Sequence, residues 1–414
     1  MSSARTPADI ARRNVFLFFA FGASSNFLLW GGVWIKYLVD ERGLELRWIL
    51  AMDLPFWLIA AALQAPTGAL ADRIGRKRVL AMSGALYVVT ILGFGFTTNY
   101  WMLFFDYVIW AFAIAMQTGA DQALVYDSLR LAGRESQFRR IASRQFAVSL
   151  AAGAVSLILG GLLASATSLT FTVQFAAICP AFGVVIALLM VEPPRERAPQ
   201  RYLEGLKRGF SFGWSNKEVR YTLLIGAVFL TATFGPVVLI QPFLLEHDVA
   251  TSLYGVYQAP LRIVSVLAAV VAFAVVARLG VGRTFVAGGV AIVACFVGLA
   301  ALDREAAFVF FGLSSVVQGV MSPMVSGHLN ERIPSELRAT VLSLMQLAFS
   351  LQVAFFEPAL GFLTDDVSLG AAFIFSALYC GLLLPPLIVL WRRAHQGGAS
   401  PPLVPRALVE VAAD

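Results

Sequence analysis

Long apolar runs separated by short polar segments dominate the pattern along the chain. The runs are continuous over about 20 residues or more and do not alternate every second residue, which predicts membrane-spanning helices and not the strands of a barrel. The pattern predicts twelve spans, at 15–38, 47–70, 79–97, 101–127, 141–165, 169–191, 219–244, 251–277, 284–301, 306–328, 339–363 and 369–391.

The longest polar interval divides these spans into two sets of six. It predicts an N-terminal six-helix bundle (1–191), a central cytoplasmic loop (192–218), a C-terminal six-helix bundle (219–392) and a cytoplasmic tail (393–414). Within the loop, apolar residues recur every fourth position and predict an amphipathic helix. That helix either lies on the cytoplasmic membrane face or packs beneath the bundle. The recurring residues are Tyr202, Leu206, Phe210 and Trp214.

Short matches between the two halves indicate an internal repeat. Arg73-Ile74-Gly75 after span two matches Arg278-Leu279-Gly280 after span eight. The pair Gln145 and Ser149 in span five matches Gln346 and Ser350 in span eleven, at a similar offset of about 200 residues. Repeats of this kind are the building plan of many secondary transporters.

Composition supports a membrane protein and excludes two other classes. The 414 residues are 59% apolar and 14% charged, with mean hydropathy +0.77. Soluble domains are about 45–50% apolar and about 25% charged, and disordered chains are poorer still in apolar residues. The chain is thus predicted to be an all-α integral membrane protein.

The basic residues fix the predicted orientation. If the N-terminus is cytoplasmic, 26 of the 31 basic residues fall in cytoplasmic segments, four fall outside and Arg262 lies within a span. The positive-inside rule therefore predicts two cytoplasmic termini. It also accounts for the net charge of +6 without a nucleic-acid partner. Only four of the basic residues are lysines, an arginine bias typical of GC-rich bacterial genomes, so we expect a bacterial inner membrane.

The loop between spans two and three carries the most specific motif. It reads Gly68-Ala-Leu-Ala-Asp72-Arg73-Ile74-Gly75-Arg76-Lys77-Arg78. This resembles the signature G-x-x-x-D-R-x-G-R-[RK] of the major facilitator superfamily, at the loop where that family carries it. The resemblance implies the major facilitator fold, with two pseudo-symmetric six-helix bundles that move substrate by alternating access.

The resemblance also implies a gating role for this loop. Asp72 would lie at the N-terminus of span eleven, and Arg76 would reach an acid at the cytoplasmic end of span four, which is Asp127 here. From the residues alone, Gly75 permits a tight turn, and Gly68 on a small-residue face permits close backbone approach. The alternative is that the basic residues, including Arg73 and Lys77, only hold the loop inside the cell.

A second, narrower resemblance points to export. The stretch Gly119-Ala-Asp121-Gln-Ala-Leu-Val-Tyr126-Asp127 and the ends of span eleven, Arg338-Ala-Thr340 and Pro358 with Gly361, look like a branch of bacterial drug and metabolite exporters. One element departs from proton antiporters of the superfamily, because 156–161 lacks their Gly-Pro pair. Gly160 and Gly161 still provide a small face for tight helix packing.

Five ionisable residues fall within the spans, where charge is costly and marks functional hypotheses. The candidates for proton coupling are Asp53, Asp106, Asp121 and Glu357. Family architecture would place Asp53 and Glu357 together, so that one carboxyl raises the pKa of the other. The alternative for Asp53 and Asp106 is local pairing or access to water. Arg262 needs a partner near the midplane, which is Glu357, Asp121 or an anionic substrate.

Six further residues lie in the spans that line the cavity in the family. These substrate-binding candidates are Asn26, Trp30, Trp110, Gln117, Gln241 and Gln318. Aromatic walls with a few amides suit amphipathic organic molecules. The alternative is that the aromatic residues pack in the bundle or face lipid.

Enzyme, metal and cofactor motifs are absent from the sequence. The histidines His247, His328 and His395 are far apart, and no phosphate loop, nucleophile elbow or zinc spacing occurs. We therefore predict a monomeric transporter without cofactor that exports a small amphipathic compound in exchange for protons. Two alternatives stay open: a symporter or uniporter that imports an organic anion, and a non-transporting receptor on the same scaffold.

Overall fold

A computed structural model describes residues 6–194, 202–334 and 336–396. All regular structure in these ranges is helical. Seventeen α-helices are joined by turns and by three short 3-10 helices at Glu135–Gln137, Thr251–Leu253 and Glu305–Phe310. The described part of the chain is thus an all-α protein, as the hydrophobic pattern predicts.

The first ten helices cover the predicted N-terminal bundle. They are α1 (Pro7–Asn26), α2 (Trp34–Asp40), α3 (Leu46–Ala51), α4 (Asp53–Ile74), α5 (Arg76–Phe96), α6 (Tyr100–Gln117), α7 (Ala120–Leu131), α8 (Phe138–Ala166), α9 (Leu169–Ala176) and α10 (Ile178–Leu189). Polar side chains cap several of them and satisfy free backbone amides. Thr6 and Asp9 form a capping box at α1, and Asn99 caps α6.

The remaining seven helices are α11 (Tyr202–Ser215), α12 (Lys217–Glu246), α13 (Tyr254–Leu279), α14 (Val281–Ala301), α15 (Phe311–Arg332), α16 (Arg338–Asp366) and α17 (Leu369–Gln396). Of these, α11 lies within the predicted central loop and the other six form the C-terminal part of the chain. The predicted tail from 393 therefore begins inside α17, and residues 397–414 lie outside the described residues.

Eleven helical stretches of the described chain are long and apolar enough to cross a membrane. The first predicted span, 15–38, is not among them. Helix α1 is 20 residues long, but every 18-residue stretch within it contains the three charged residues Asp9, Arg12 and Arg13, and the chain then leaves the helix until Trp34. The fourth predicted span is also divided, because α6 ends at Gln117 and Gly119 has φ +79 before α7 begins. Continuous apolar runs conceal such interruptions.

The described residues form two compact units that differ from a simple cut at the central loop. The first comprises 6–45, 52–194 and 248–260, and the second comprises 46–51, 202–247, 261–334 and 336–396. The short helix α3 thus packs with α16 in the second unit, and the start of α13 packs with α8 in the first.

Small residues bring backbones close together inside each unit. A Cβ at Gly160 would overlap the carbonyl oxygen of Leu29, and a Cβ at Gly319 would overlap the carbonyl oxygen of Ser265. Without a hydrophobic driving force between helices in lipid, such close contacts supply much of the association energy. The prediction that Gly160 serves tight packing is confirmed.

The central loop contains the predicted short helix, α11. One face packs on α12 and α16, since Gly209 lies against Thr340 and Gly213 against Leu344. Phe210 and Trp214 stack at 6.1 Å and remain exposed on the other face. The side chains of Tyr202 and Leu206 lie outside the described residues. Whether the exposed face meets the membrane stays a prediction.

Candidate functional site

The signature loop is a tight turn between α4 and α5. Gly75 connects the two helices with φ +107. Glycine adopts this conformation freely, whereas a residue with a Cβ would be strained in it. The next residue, Arg76, forms an ion pair with Asp127 of α7 and donates a hydrogen bond to the carbonyl oxygen of Ala123 at 2.5 Å. The turn therefore aims Arg76 at the acid that the family resemblance implies.

Asp72 and the remaining charges of the motif are more exposed. The Asp72 carboxylate lies 3.9 Å from the Arg76 guanidinium, with half of its side chain exposed. Arg73 is exposed and Lys77 is half-buried. The predicted close approach at Gly68 is wrong for this structure: a Cβ there would meet no atom within 4 Å. Open space therefore lies beside Gly68 in α4.

Glu192 is a member of this cluster that sequence reasoning missed. Its carboxylate accepts hydrogen bonds from the backbone amides of Arg76, at 3.1 Å, and Lys77, at 2.8 Å. It thereby caps the N-terminus of α5, where the helix dipole favours an anion. The only sequence signal was its position at the start of Glu192-Pro193-Pro194, directly after the sixth span.

An aromatic cluster fills the first unit. The Trp30 ring lies 5.3 Å from Trp110 and 5.7 Å from Phe94, while Phe56 and Tyr107 contact Trp110 at 5.0 and 5.5 Å. Trp30 is buried, and its indole nitrogen has no hydrogen-bond partner among the described residues. A buried indole N–H of this kind is available to a polar group of a ligand.

Gln117 lies beside this cluster, at the wall of a cavity in the first unit. The polar residues lining that cavity are Ser24, Ser25, Tyr87 and Gln117. Asn26 is exposed at the end of α1, where its amide donates to the carbonyl oxygen of Gly22 at 2.9 Å. Trp30 and Trp110 line a second, apolar cavity of the same unit. Of the substrate-binding candidates in this unit, Gln117, Trp30 and Trp110 therefore face a cavity, and Asn26 does not line either one.

Two carboxyl groups of the first unit are buried within apolar helices. Asp53 begins α4 and is 8% exposed, and Asp106 of α6 is 6% exposed. The Oδ2 atom of each has no hydrogen-bond partner among the described residues. A Cβ at Gly93 would lie 2.8 Å from Asp106 Oδ1, so the α5 backbone covers this carboxyl. Buried polar atoms without partners are costly and mark functional groups.

Asp121 lies at the break in the fourth predicted span. It is in the first turn of α7, directly after the left-handed Gly119, and its Oδ1 accepts the amide of Gln122 at 2.7 Å. A carboxylate is favourable at a helix N-terminus. Broken helices at membrane depth line cavities and binding sites in transporters.

Arg262 and Gln318 mark a polar stripe in the second unit. Ser265 is three residues after Arg262 on the same face of α13, and its hydroxyl donates to Gln318 Oε1 at 3.3 Å. Arg262 is exposed and forms no ion pair or hydrogen bond with the described residues. The expected contact with Glu357 of the same unit is therefore absent from the described residues. Asp121, which belongs to the other unit, and an anionic substrate group stay predictions as the partner of Arg262.

The other two candidates of this unit are buried. Gln241 of α12 and Glu357 of α16 are each 1% exposed. Glu357 lies directly before Pro358, which removes one backbone hydrogen bond from the helix. Asp53 and Glu357 belong to different units, and their predicted proximity stays a prediction.

Comparison with known proteins decides the family. Residues 15–303 match the Major Facilitator Superfamily, which is more than half of the chain. The chain belongs to the Major Facilitator Superfamily. It is therefore a multi-pass membrane protein and a secondary transporter, and not an enzyme. No curated protein sequence matches the chain.

Solved facilitator structures share the fold at low identity. The nucleoside transporter NupG is 16% identical, with TM-score 0.74 over 93% of this chain and 99% of that one. A bacterial homolog of the human lysosomal transporter Spinster is 15% identical, with TM-score 0.70 over 97% and 100%. A mutant of the peptide transporter POT is 13% identical, with TM-score 0.71 over 95% and 99%. This chain is thus a facilitator in fold along nearly its whole length.

Proposed function

We propose that this facilitator exports an amphipathic organic acid across the bacterial inner membrane in exchange for protons, as a monomer with cytoplasmic termini and no cofactor. The observation that carries the proposal is Arg262. It is an exposed arginine within a membrane helix, and among the described residues it has no ion-pair or hydrogen-bond partner. Because an unpaired charge at membrane depth is costly, the cation is best explained by an anionic group of the substrate.

The first unit, considered by itself, also suits an amphipathic molecule. Trp30 offers an unpaired indole N–H in an aromatic cluster, and Gln117 faces the adjacent cavity. Aromatic walls with few polar groups suit an amphipathic molecule. Two solved facilitators of similar fold are a nucleoside transporter and a peptide transporter, and a polar organic substrate here is compatible with both.

Protons are proposed as the coupling ion because of Asp53 and Asp106. Both carboxyls are buried, and each has an oxygen without a hydrogen-bond partner among the described residues. A carboxyl that has no fixed cation beside it can gain and release a proton during transport.

Two arguments support export. Residues 119–127 resemble bacterial exporters, and the proposed substrate is an anion, which the membrane potential drives out of the cell. The membrane potential, negative inside, contributes about 2.3 kcal/mol per charge per 100 mV. It drives an anion outward and opposes its entry. An importer of the same anion is the second candidate, since Arg262 would serve either direction.

A ligand screen tests the substrate class. Purified protein is heated with amphipathic carboxylates and sulfonates and with their neutral amides or esters. Acids should raise the melting temperature and neutral analogues should not. Arg262→Gln should weaken binding of the acids by about 10- to 100-fold, the value of one hydrogen-bonded charge, and Arg262→Lys should weaken it less. Equal binding of acids by wild type and Arg262→Gln would overturn the assignment.

Transport direction is then read from proteoliposomes loaded with a pH dye. An acid identified in the screen is placed inside, and an inward proton gradient should accelerate its exit and raise the lumenal proton concentration. Exit that ignores the proton gradient would remove proton coupling. Uptake driven with the protons would favour the importing candidate.

A further inference from the structure

Three helix ends of the second unit meet around one carboxylate oxygen. Glu218 Oε1, at the start of α12, lies 3.1 Å from His328 Nε2 of α15 and 2.7 Å from His395 Nδ1 of α17. Arg332, one turn after His328, donates from Nε to the same oxygen at 2.6 Å. The two histidines are far apart in the sequence, and the packing of α12, α15 and α17 brings them together.

We propose that Glu218, His328 and His395 bind a divalent transition-metal ion of the Zn²⁺ class. Their ligand atoms all lie within 4.8 Å of one another. Two imidazoles and one carboxylate match the protein ligands of zinc sites that keep a fourth position for water. Mg²⁺ and Ca²⁺ prefer oxygen ligands, so this set favours zinc and its transition-metal neighbours. This inference is independent of the proposed substrate and coupling.

The ligands are oriented before any ion binds. The His328 side chain is fully buried, while 35% of the His395 side chain is exposed and leaves a route from solvent. The His395 ring stacks on Trp391 at 4.8 Å and 12°, and the Trp391 indole donates to Thr222 at 3.0 Å. Neighbours that fix the rings in this way strengthen metal sites.

Arg332 acts as a competitor of the metal ion. It neutralises Glu218 in this structure, so an ion must displace its guanidinium. A second acid is at hand, since Glu331 Oε2 lies 3.6 Å from Arg332 Nη1. The displaced arginine therefore keeps a partner. We infer that removal of the Arg332 charge increases metal affinity, the opposite of what a structural ion pair predicts.

The first unit has uncharged residues at the repeat positions that correspond to Glu218 and the two histidines. Helix packing alone therefore does not require a carboxylate and two imidazoles there. Asn14, Ser128 and Val191 stand about 200 residues before Glu218, His328 and His395, the spacing of the internal repeat. There the Asn14 amide donates to Ser128 Oγ at 2.8 Å and to the carbonyl oxygen of Val191 at 2.7 Å. A neutral network ties those helices together, whereas the second unit uses metal-binding side chains.

Calorimetric titration of the full-length protein with ZnCl₂ tests the proposal. The protein is purified through a tag without histidine and treated with EDTA. One saturable site is expected. His328→Gln, His395→Gln and Glu218→Gln should each weaken it more than about tenfold, and Arg332→Gln should strengthen it. His247→Gln is the matched control, because the third histidine lies at the opposite end of α12 and should leave binding unchanged.

The outcomes separate a metal site from a purely structural cluster. Melting temperatures without metal identify variants that fail to fold, and His395→Gln, which is partly exposed, is expected to fold. A Co²⁺ titration gives a second readout, since ligation by two imidazoles alters its visible spectrum. Absence of saturable Zn²⁺ binding to the folded wild type would overturn the proposal. Equal loss of binding in His247→Gln, or weaker binding in Arg332→Gln, would overturn it as well.

Discussion

The carboxylate of Glu192 accepts the backbone amide of Lys77 at 2.8 Å, 115 residues away in the chain. It receives the amide of Arg76 as well, so a residue that follows the sixth predicted span caps the helix that follows the signature loop. The turn at Gly75 is thus held by a residue outside the family signature.

Replacement of Glu192 tests the importance of this cap. Glu192→Ala leaves amides of α5 without an acceptor, and loss of an N-terminal cap costs about 0.5–2 kcal/mol. We expect a lower melting temperature of the purified protein. Glu135→Gln is the control, because this acid is exposed in the 3-10 helix before α8, and the variant should melt as the wild type. An unchanged melting temperature of Glu192→Ala would show that water replaces the cap.

Exchange of the charges of Arg76 and Asp127 tests their ion pair. Both side chains are mostly buried, with 17% and 25% exposed, so each single substitution leaves a poorly solvated charge. Arg76→Asp and Asp127→Arg should each slow transport strongly, and the double variant should recover part of it. We expect a coupling energy of about 0.5–3 kcal/mol from the double-mutant cycle. Arg78→Gln is the control, because Arg78 is exposed and lies two residues after Arg76 in the same helix. Additive effects of the two single substitutions would contradict the pairing.

Asp72 separates a gating role from a binding role. Its carboxylate is half exposed and lies 3.9 Å from Arg76, so little folding energy depends on it. We expect Asp72→Ala to reduce the turnover of substrate acids in proteoliposomes and to leave their binding affinity unchanged. A loss confined to affinity would count against the gate.

Part of the cluster around the signature loop can be predicted from the sequence. The turn at Gly75 follows from the residues themselves, and the pairing of Arg76 with Asp127 is what the resemblance to the family implies. The role of Glu192 could not be predicted, because it is one acid among several in a polar loop and its partner is a backbone amide. The pattern also missed the helix break at Gly119, since apolar residues continue on both sides of it.

The predictions that failed depend on packing, which hydrophobic periodicity does not encode. A small-residue face at Gly68 was expected to meet another backbone, and open space lies there instead. Glu357 is one of the partners expected for Arg262, and the described residues of their common unit show no ion pair or hydrogen bond between them. The site formed by Glu218, His328 and His395 was missed for a similar reason: spacing in the sequence does not show that the ends of α12, α15 and α17 meet.

Gly160 and Gly381 are a test and a control for the importance of close packing at glycines within helices. Gly160 of α8 lies against the Leu29 carbonyl oxygen, whereas a Cβ at Gly381 of α17 would meet no atom within 4 Å. Gly160→Ala should lower stability by about 1–3 kcal/mol or prevent folding, because backbone moves less readily than a side chain. Gly381→Ala should fold as the wild type or better. Similar melting temperatures for the two variants would contradict the close contact.

Asp106 is the most direct test of proton coupling. Its carboxyl is buried under the α5 backbone at Gly93, and its Oδ2 has no hydrogen-bond partner among the described residues. Asparagine has nearly the same shape and cannot carry the proton, so Asp106→Asn should fold normally. It should still exchange substrate acid across the membrane without a gradient, because exchange does not require release of the proton. Net transport driven by a proton gradient should be lost, as measured with the pH dye in proteoliposomes. Asp303→Asn, with an acid that is almost fully exposed, should transport as the wild type. If Asp106→Asn keeps gradient-driven transport, the proton is carried by Asp53, Asp121 or Glu357, and the same assay on their amide variants identifies which.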